Sequence, residues 1–267
     1  MLYSKLIMKN FKVYTTLFVF SIFLLLGCSE DSVNQNTTTS SESSVGGGST
    51  GQGGSTTRFT IANDHLYIVT SNTLYTYSLA NASKPEFKEK VWLSWGVETI
   101  FSMGSHLFLG TQNGVLIYSI AEPTKPLRVG TYTHITSCDP VVAAGNFAYS
   151  TLRTTDRCNR GVNRLDIIDI EDITNPRLLH SYTITNPQGL GISGDYLYVC
   201  DAGKINTYDI RNPRAGSSLI HSDVLFGCYD VIVKNNVLIV VSVTGVTQYD
   251  INPANGGLTK LSSIERQ

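Results

Sequence analysis

Tyr208-Asp209-Ile210-Arg211-Asn212-Pro213 decides the fold, because the chain returns to the same phrase at regular intervals. An apolar residue, then Ser or Asp, then Leu or Ile stands at Tyr77-Ser78-Leu79, Tyr118-Ser119-Ile120, Ile168-Asp169-Ile170, Tyr208-Asp209-Ile210 and Tyr249-Asp250-Ile251, at spacings of 41, 50, 40 and 41 residues. A period near 40 marks stacked supersecondary units. Ahead of each phrase lies a pair that tolerates positive φ, as a two-residue hairpin turn requires: Asn63-Asp64, Gly104-Ser105, Gly145-Asn146, Gly194-Asp195 and Asn235-Asn236. Pro85, Pro126, Pro176, Pro213 and Pro253 fall in the third loop of each unit, where a missing N–H costs no ladder bond.

Unit four reads as strands over Leu190 to Ile192, Tyr196 to Cys200, Ile205 to Ile210 and Leu219 to Ser222, and Leu258 to Ile264 supplies the last strand of unit five. Helical periodicity of useful length is absent. A unit with two hairpin turns folds back on itself, which favours a propeller over an open solenoid. The expectation is an all-β chain: a β-propeller of about five four-stranded blades over residues 58–267. The runs Leu165-Asp166-Ile167-Ile168-Asp169-Ile170, with Asn175-Pro176 after it, and Tyr208 to Pro213 resemble the LVIVD repeat of bacterial surface and secreted propellers. Units one and two depart by carrying Ser where Asp is usual. The resemblance implies architecture, export and a binding role, and brings no catalytic residues.

Upstream, Lys5, Lys9 and Lys12 precede the apolar run Val13 to Leu26, the order of a secretory signal. Met8 is an alternative start. The run is shorter than the roughly 20 residues that a membrane-spanning helix needs. It ends in Leu25-Leu26-Gly27-Cys28, which resembles the bacterial lipobox, so Cys28 is the expected lipidation site. Two or more acyl chains hold a protein at a membrane where one is marginal. Ser29-Glu30-Asp31 is similar to the acidic tag of surface-displayed Bacteroidetes lipoproteins, or else simply opens a polar linker. From Ser32 to Thr57 only Val33 and Val45 are sizeable apolar residues, so this stretch has no core of its own. The resulting division is a signal peptide over 1–27, a lipidated tether over 28–57, disordered by composition, and the propeller from 58. The expected location is the cell envelope as an outer-membrane lipoprotein with surface exposure an option, and the membrane is a partner through the lipid anchor alone.

Twenty basic residues against twenty-one acidic ones leave a formal charge of −1, without the basic footprint that nucleic acid requires. A monomer is expected.

Unit three is lengthened over Leu152 to Asn163 and flanked by Cys138 and Cys158, which are expected to pair in an oxidising compartment. Cys200 and Cys228 read as small buried apolar residues, with a second bridge the alternative. The lengthened loop gathers Arg153, Arg157, Arg160 and Arg164, a candidate site for an anionic ligand; the plainer reading is a solvated loop. Alignment on the turns sets Glu98, Asp139, Gln188 and Asp230 before the first strand of units two to five, at one mouth of the central channel. Converging oxygens there could hold Ca²⁺, or each acid could bond its own turn; no other cofactor is expected. Trp92 and Trp95 lead into the Glu98 edge, as packing between blades or as a sugar platform.

No metal-ligand spacing, nucleophile elbow or phosphate loop is present. The favoured reading is a tethered, non-catalytic module for a glycan, peptide or partner protein. One alternative is a propeller hydrolase or lyase whose channel mouth uses His134 with Asp139, Glu98 and Asp230; another is a structural subunit of an envelope complex.

Overall fold

The computed structural model describes residues 54–134, 140–154 and 162–266. Their twenty strands form five four-stranded antiparallel sheets, one per sequence unit, arranged as the blades of a β-propeller. Blade one holds β1 (Phe59–Ala62), β2 (His65–Val69), β3 (Thr73–Ser78) and β4 (Glu86–Trp92). Blade two holds β5 (Val97–Met103), β6 (His106–Thr111), β7 (Gly114–Ser119) and β8 (Leu127–Thr133); blade three β9 (Val141–Ala144), β10 (Phe147–Leu152), β11 (Arg164–Asp169) and β12 (Arg177–Thr183). Blade four holds β13 (Pro187–Ser193), β14 (Tyr196–Asp201), β15 (Lys204–Asp209) and β16 (Ser218–Val224); blade five β17 (Cys228–Lys234), β18 (Val237–Ser242), β19 (Gly245–Ile251) and β20 (Leu258–Glu265). Among the described residues no helix is long and apolar enough to cross a membrane.

The turn residues act as their chemistry requires. Asn63, Asp64, Asn235 and Asn236 sit at φ between 49° and 60°, the left-handed region that Asn and Asp tolerate. Each unit's recurring phrase marks a second device. The pairing of the third strand with the fourth slips at Tyr77, Tyr118, Ile168, Tyr208 and Tyr249, so the residue that sets the repeat lies at a bulge that sharpens the blade's twist.

Blades pack face to face through apolar side chains. Tyr67, Phe108, Tyr149 and Tyr198 occupy the same place on the second strand of blades one to four, and all are fully buried between a blade and its successor. Buried phenol groups need partners, and Tyr67 and Tyr198 donate to the carbonyls of Pro123 and Gly256 in the next blade's third loop, at 2.9 and 3.1 Å. Blades two and three share a polar tie: fully buried Asp166 accepts from Tyr132 at 3.1 Å and Ser181 at 2.8 Å, and pairs with Arg164 at 2.9 Å. A disulfide joins Cys200 of β14 to Cys228 of β17, with Cα atoms 5.7 Å apart, and staples blade four to blade five. Two buried cysteines are thus a covalent link, the alternative that spacing alone left open.

Candidate functional site

The start of the described chain occupies the channel. Composition assigns residues up to Thr57 to the tether, yet Ser55 is 1% exposed. Its hydroxyl accepts the Leu190 N–H of β13 at 2.7 Å and donates to Asp230 Oδ1 of β17 at 3.3 Å. Thr56 donates to the other carboxylate oxygen at 2.6 Å, and Val231 N–H donates to Oδ1 at 2.9 Å. The polar composition that looks like linker is what a polar channel accepts. Gly54 and Gly189 make room: a Cβ on either would stand 2.2 or 2.3 Å from an Asp230 oxygen. Burial pushes the Asp230 carboxyl above its ordinary pKa range, against the lowering effect of these hydrogen bonds.

The four acids and amides expected at one position separate. Glu98 lies on the residue that the β5–β6 pairing skips, between the partners Val97↔Thr111 and Thr99↔Gly110. In blade five the skipped residue is Tyr229, and Asp230 pairs with Val241 one place further along. A one-residue step turns a side chain to the other side of a strand, so Asp230 faces inward to Ser55 while Glu98 and Gln188 rim the mouth. Asp139 lies outside the described residues. Among the described residues no group of three or more His, Cys, Asp or Glu could hold a metal. Asp230's oxygens already accept from Ser55, Thr56 and Val231, which does not fit a Ca²⁺ shell of six to eight oxygens.

The mouth itself is a cavity of about 210 Å³ lined by Thr56, Arg58, Glu98, Thr99, Pro140, Arg153 and Gln188. Arg153 Nη1 donates to Gln188 Oε1, and Gln112 Nε2 donates to Glu98 Oε1 at 3.2 Å. Arg58 is exposed, and among the described residues no carboxylate pairs with it. The arginine cluster expected in the long loop divides: Arg153 turns to this mouth, whereas Arg164 is held by Asp166 in the blade two–three seam and is withdrawn from any ligand. Arg157 and Arg160 lie outside the described residues, as do Cys138, Cys158 and Cys28. Arg58 escaped the sequence reading because its place at the mouth follows only from the seated 54–57 segment.

The tryptophans are not packed between blades: Trp92 and Trp95 are 68% and 77% exposed. His180 and His221, 41 residues apart, bond the carbonyls of Arg214 and Asn255 at 3.1 and 2.9 Å, a repeated structural tie.

Five blades of this kind define a repeat-built propeller with a polar mouth. The LVIVD repeat matches residues 160–184 and 186–218, which fall in the later part of unit three and in the first three strands of unit four. No curated protein matches the chain. Among solved structures, the periplasmic gluconolactonase PpgL of Pseudomonas aeruginosa is similar at 14% identity and a TM-score of 0.59, over 76% of this chain and 67% of that one. A 6-phosphogluconolactonase-like protein of Bacteroides fragilis aligns at 10% identity and TM-score 0.60, over 78% and 69%. A functionally unknown protein from Desulfotomaculum acetoxidans aligns at 12% and 0.62, over 78% and 69%. At these identities the likeness is one of fold.

Proposed function

We propose that the chain is a cell-envelope lipoprotein, held by lipid on Cys28 in the outer membrane, whose propeller binds an acidic ligand at the channel mouth without transforming it. The observation that carries the reading is the mouth cavity with two guanidinium groups on its lining, Arg58 and Arg153, beside the hydrogen-bonding Glu98, Gln188, Thr56 and Thr99. Guanidinium groups fit carboxylates in a two-pronged geometry, and the amide, carboxylate and hydroxyls suit sugar hydroxyl groups. A carboxylate-bearing glycan is the ligand class that satisfies both.

Calorimetry with glucuronate or galacturonate against neutral glucose tests this. Acidic sugars bind, glucose does not, and Arg58→Ala weakens binding at least about tenfold, or 1.4 kcal/mol. Equal affinity for glucose, or binding unchanged in Arg58→Ala and Arg153→Ala together, refutes it. A second reading is hydrolysis at the same mouth, supported by the likeness to a gluconolactonase fold. Turnover of gluconolactone that survives purification and is lost in Glu98→Gln would favour it.

A further inference from the structure

The two ends of the propeller differ in what their loops expose. Within a blade the first and third strands run away from the mouth and the second and fourth run towards it, so the connections between blades lie at the mouth end. Val224, Trp95, Phe226, Ile264 and Trp92, at 68–80%, are the five most exposed large apolar side chains among the described residues. All five lie at the mouth end. Trp92 and Val224 close β4 and β16, Ile264 stands next to the end of β20, and Trp95 and Phe226 are in connections between blades. Exposed Val243 joins them from the β18–β19 turn. At the opposite end no described turn or loop exposes a large apolar side chain; those exposed towards it, such as Leu127 and Leu219, lie on outer strands.

Backbone bonds gather part of this set into one surface. Leu225 N–H donates to the Gly203 carbonyl, Val243 N–H to Gly227 and Arg266 N–H to Thr244, at 2.9–3.0 Å, which sets Phe226 and Val243 beside Lys204 and Arg266. The cavity they border, about 610 Å³, has Leu225, Val243 and Ile264 on its lining with Lys260, Glu265 and Arg266. Among the described residues of the mouth end Arg58, Lys204 and Arg266 are exposed against one exposed carboxylate, Glu265. The far end instead mixes both signs in its turns and loops, as at Asp64, Lys125, Asp172 and Asp195.

We propose that the mouth end is a membrane-contact face, whose Trp92, Trp95, Phe226 and Val243 enter the interface of a bilayer while Arg58, Lys204 and Arg266 meet its anionic headgroups. The chain brings this end to the lipid. Gly54 to Thr57 is a turn closed by the Thr57 N–H on the Gly54 carbonyl at 3.2 Å, with Ser55 at its inner tip, so the chain stands at the mouth end where the segment from Cys28 joins it. The proposal rests on the reading of Cys28 as a lipid anchor, and it makes the acidic glycan of the mouth one that a lipid presents. Trp settles at the boundary between hydrocarbon and headgroups, where its apolar body and polar edge are both satisfied. Basic side chains add attraction to anionic lipid. The apolar tips stand on blade one and again on blades four and five, and a deformable lipid surface meets both groups at once.

Trp92 and Trp95 are the only tryptophans, so intrinsic fluorescence reads this face directly. Full-length protein is reconstituted in mixed phosphatidylcholine–phosphatidylglycerol vesicles with bromine on the acyl chains, and mass spectrometry reads the lipid on Cys28. Tryptophan emission moves to shorter wavelength and is quenched at least about twofold relative to vesicles without bromine. Phe226→Glu/Val243→Glu lowers the quenching while Tm stays near wild type, both side chains being exposed. Leu127→Glu at the far end leaves the quenching unchanged. Lipidated protein that stays with the vesicles unquenched overturns this proposal and leaves the anchor standing. Quenching that the double variant retains, or that Leu127→Glu loses equally, also overturns it. Protein without lipid on Cys28 that is still quenched supports the face and removes the anchor, whereas protein that neither carries lipid nor sediments with vesicles overturns both.

Discussion

Ser55→Ala should destabilise the propeller although Ser55 stands in a stretch with the composition of a linker. The substitution strips the buried Leu190 N–H of its 2.7 Å acceptor and Asp230 of a longer, 3.3 Å donor. An unsatisfied buried donor costs about 1–3 kcal/mol and the lost hydroxyl bond about 0.5–1.5 kcal/mol, so about 2–3 kcal/mol in all is expected. For a domain of this size each kcal/mol moves Tm by about 2–4 °C, which puts the fall at about 5–10 °C. Differential scanning calorimetry at neutral pH, with Thr70→Ala as an exposed control, measures it. A Tm within the scatter of that control would refute the reasoning, because a substitution in a free tether changes stability by no more than about 0.5 kcal/mol.

The Cys200–Cys228 bridge closes a separation of 28 residues, for which loop-closure entropy gives about 3–4 kcal/mol; the double Cys→Ser variant should melt about 7–14 °C lower, and an unchanged melt would show that the thiols are not paired. Asp230 carries a sign opposite to the usual acidic residue. Its folded pKa is raised by burial, so the folded state takes up the proton first as pH falls, and stability gained this way is fully present below the ordinary 3.8 and lost as pH rises through the raised value. Asp169, Asp172 and Asp209, whose pKa values are lowered by hydrogen bonds, act in the other direction. The stability difference between wild type and Asp230→Ala should therefore move in favour of wild type between neutral pH and about pH 4, and a constant difference would show that Asp230 is not desolvated.

Much of this was legible in the chain, and the boundary between what was and was not follows the range of the forces. Turn pairs such as Asn235-Asn236 dictate backbone angles through their own side chains, and the Pro positions through their missing N–H, so strand order and blade count needed no tertiary knowledge. The channel mouth was legible only as a neighbourhood. Asp230 was expected beside Glu98 and Gln188, but those two stand six residues before Gly104 and Gly194 and Asp230 only five before Asn235; their counterpart in blade five is Tyr229, and that one step sends Asp230 to the other side. Arg153 and Arg164 stand at the two ends of one lengthened stretch, Arg164 opening β11, and look alike in sequence; a buried carboxylate 2.9 Å from Arg164 separates their roles.

By itself, the order of residues determined the repeat, the sheet class and the expectation of export, because each rests on local stereochemistry or on a contiguous signal. Tertiary structure alone decided that Ser55 seats in the channel and that Cys200 meets Cys228. Those outcomes depend on the rotation accumulated from blade to blade, which brings together groups as far apart in the chain as Ser55 and Asp230 and which no single unit encodes.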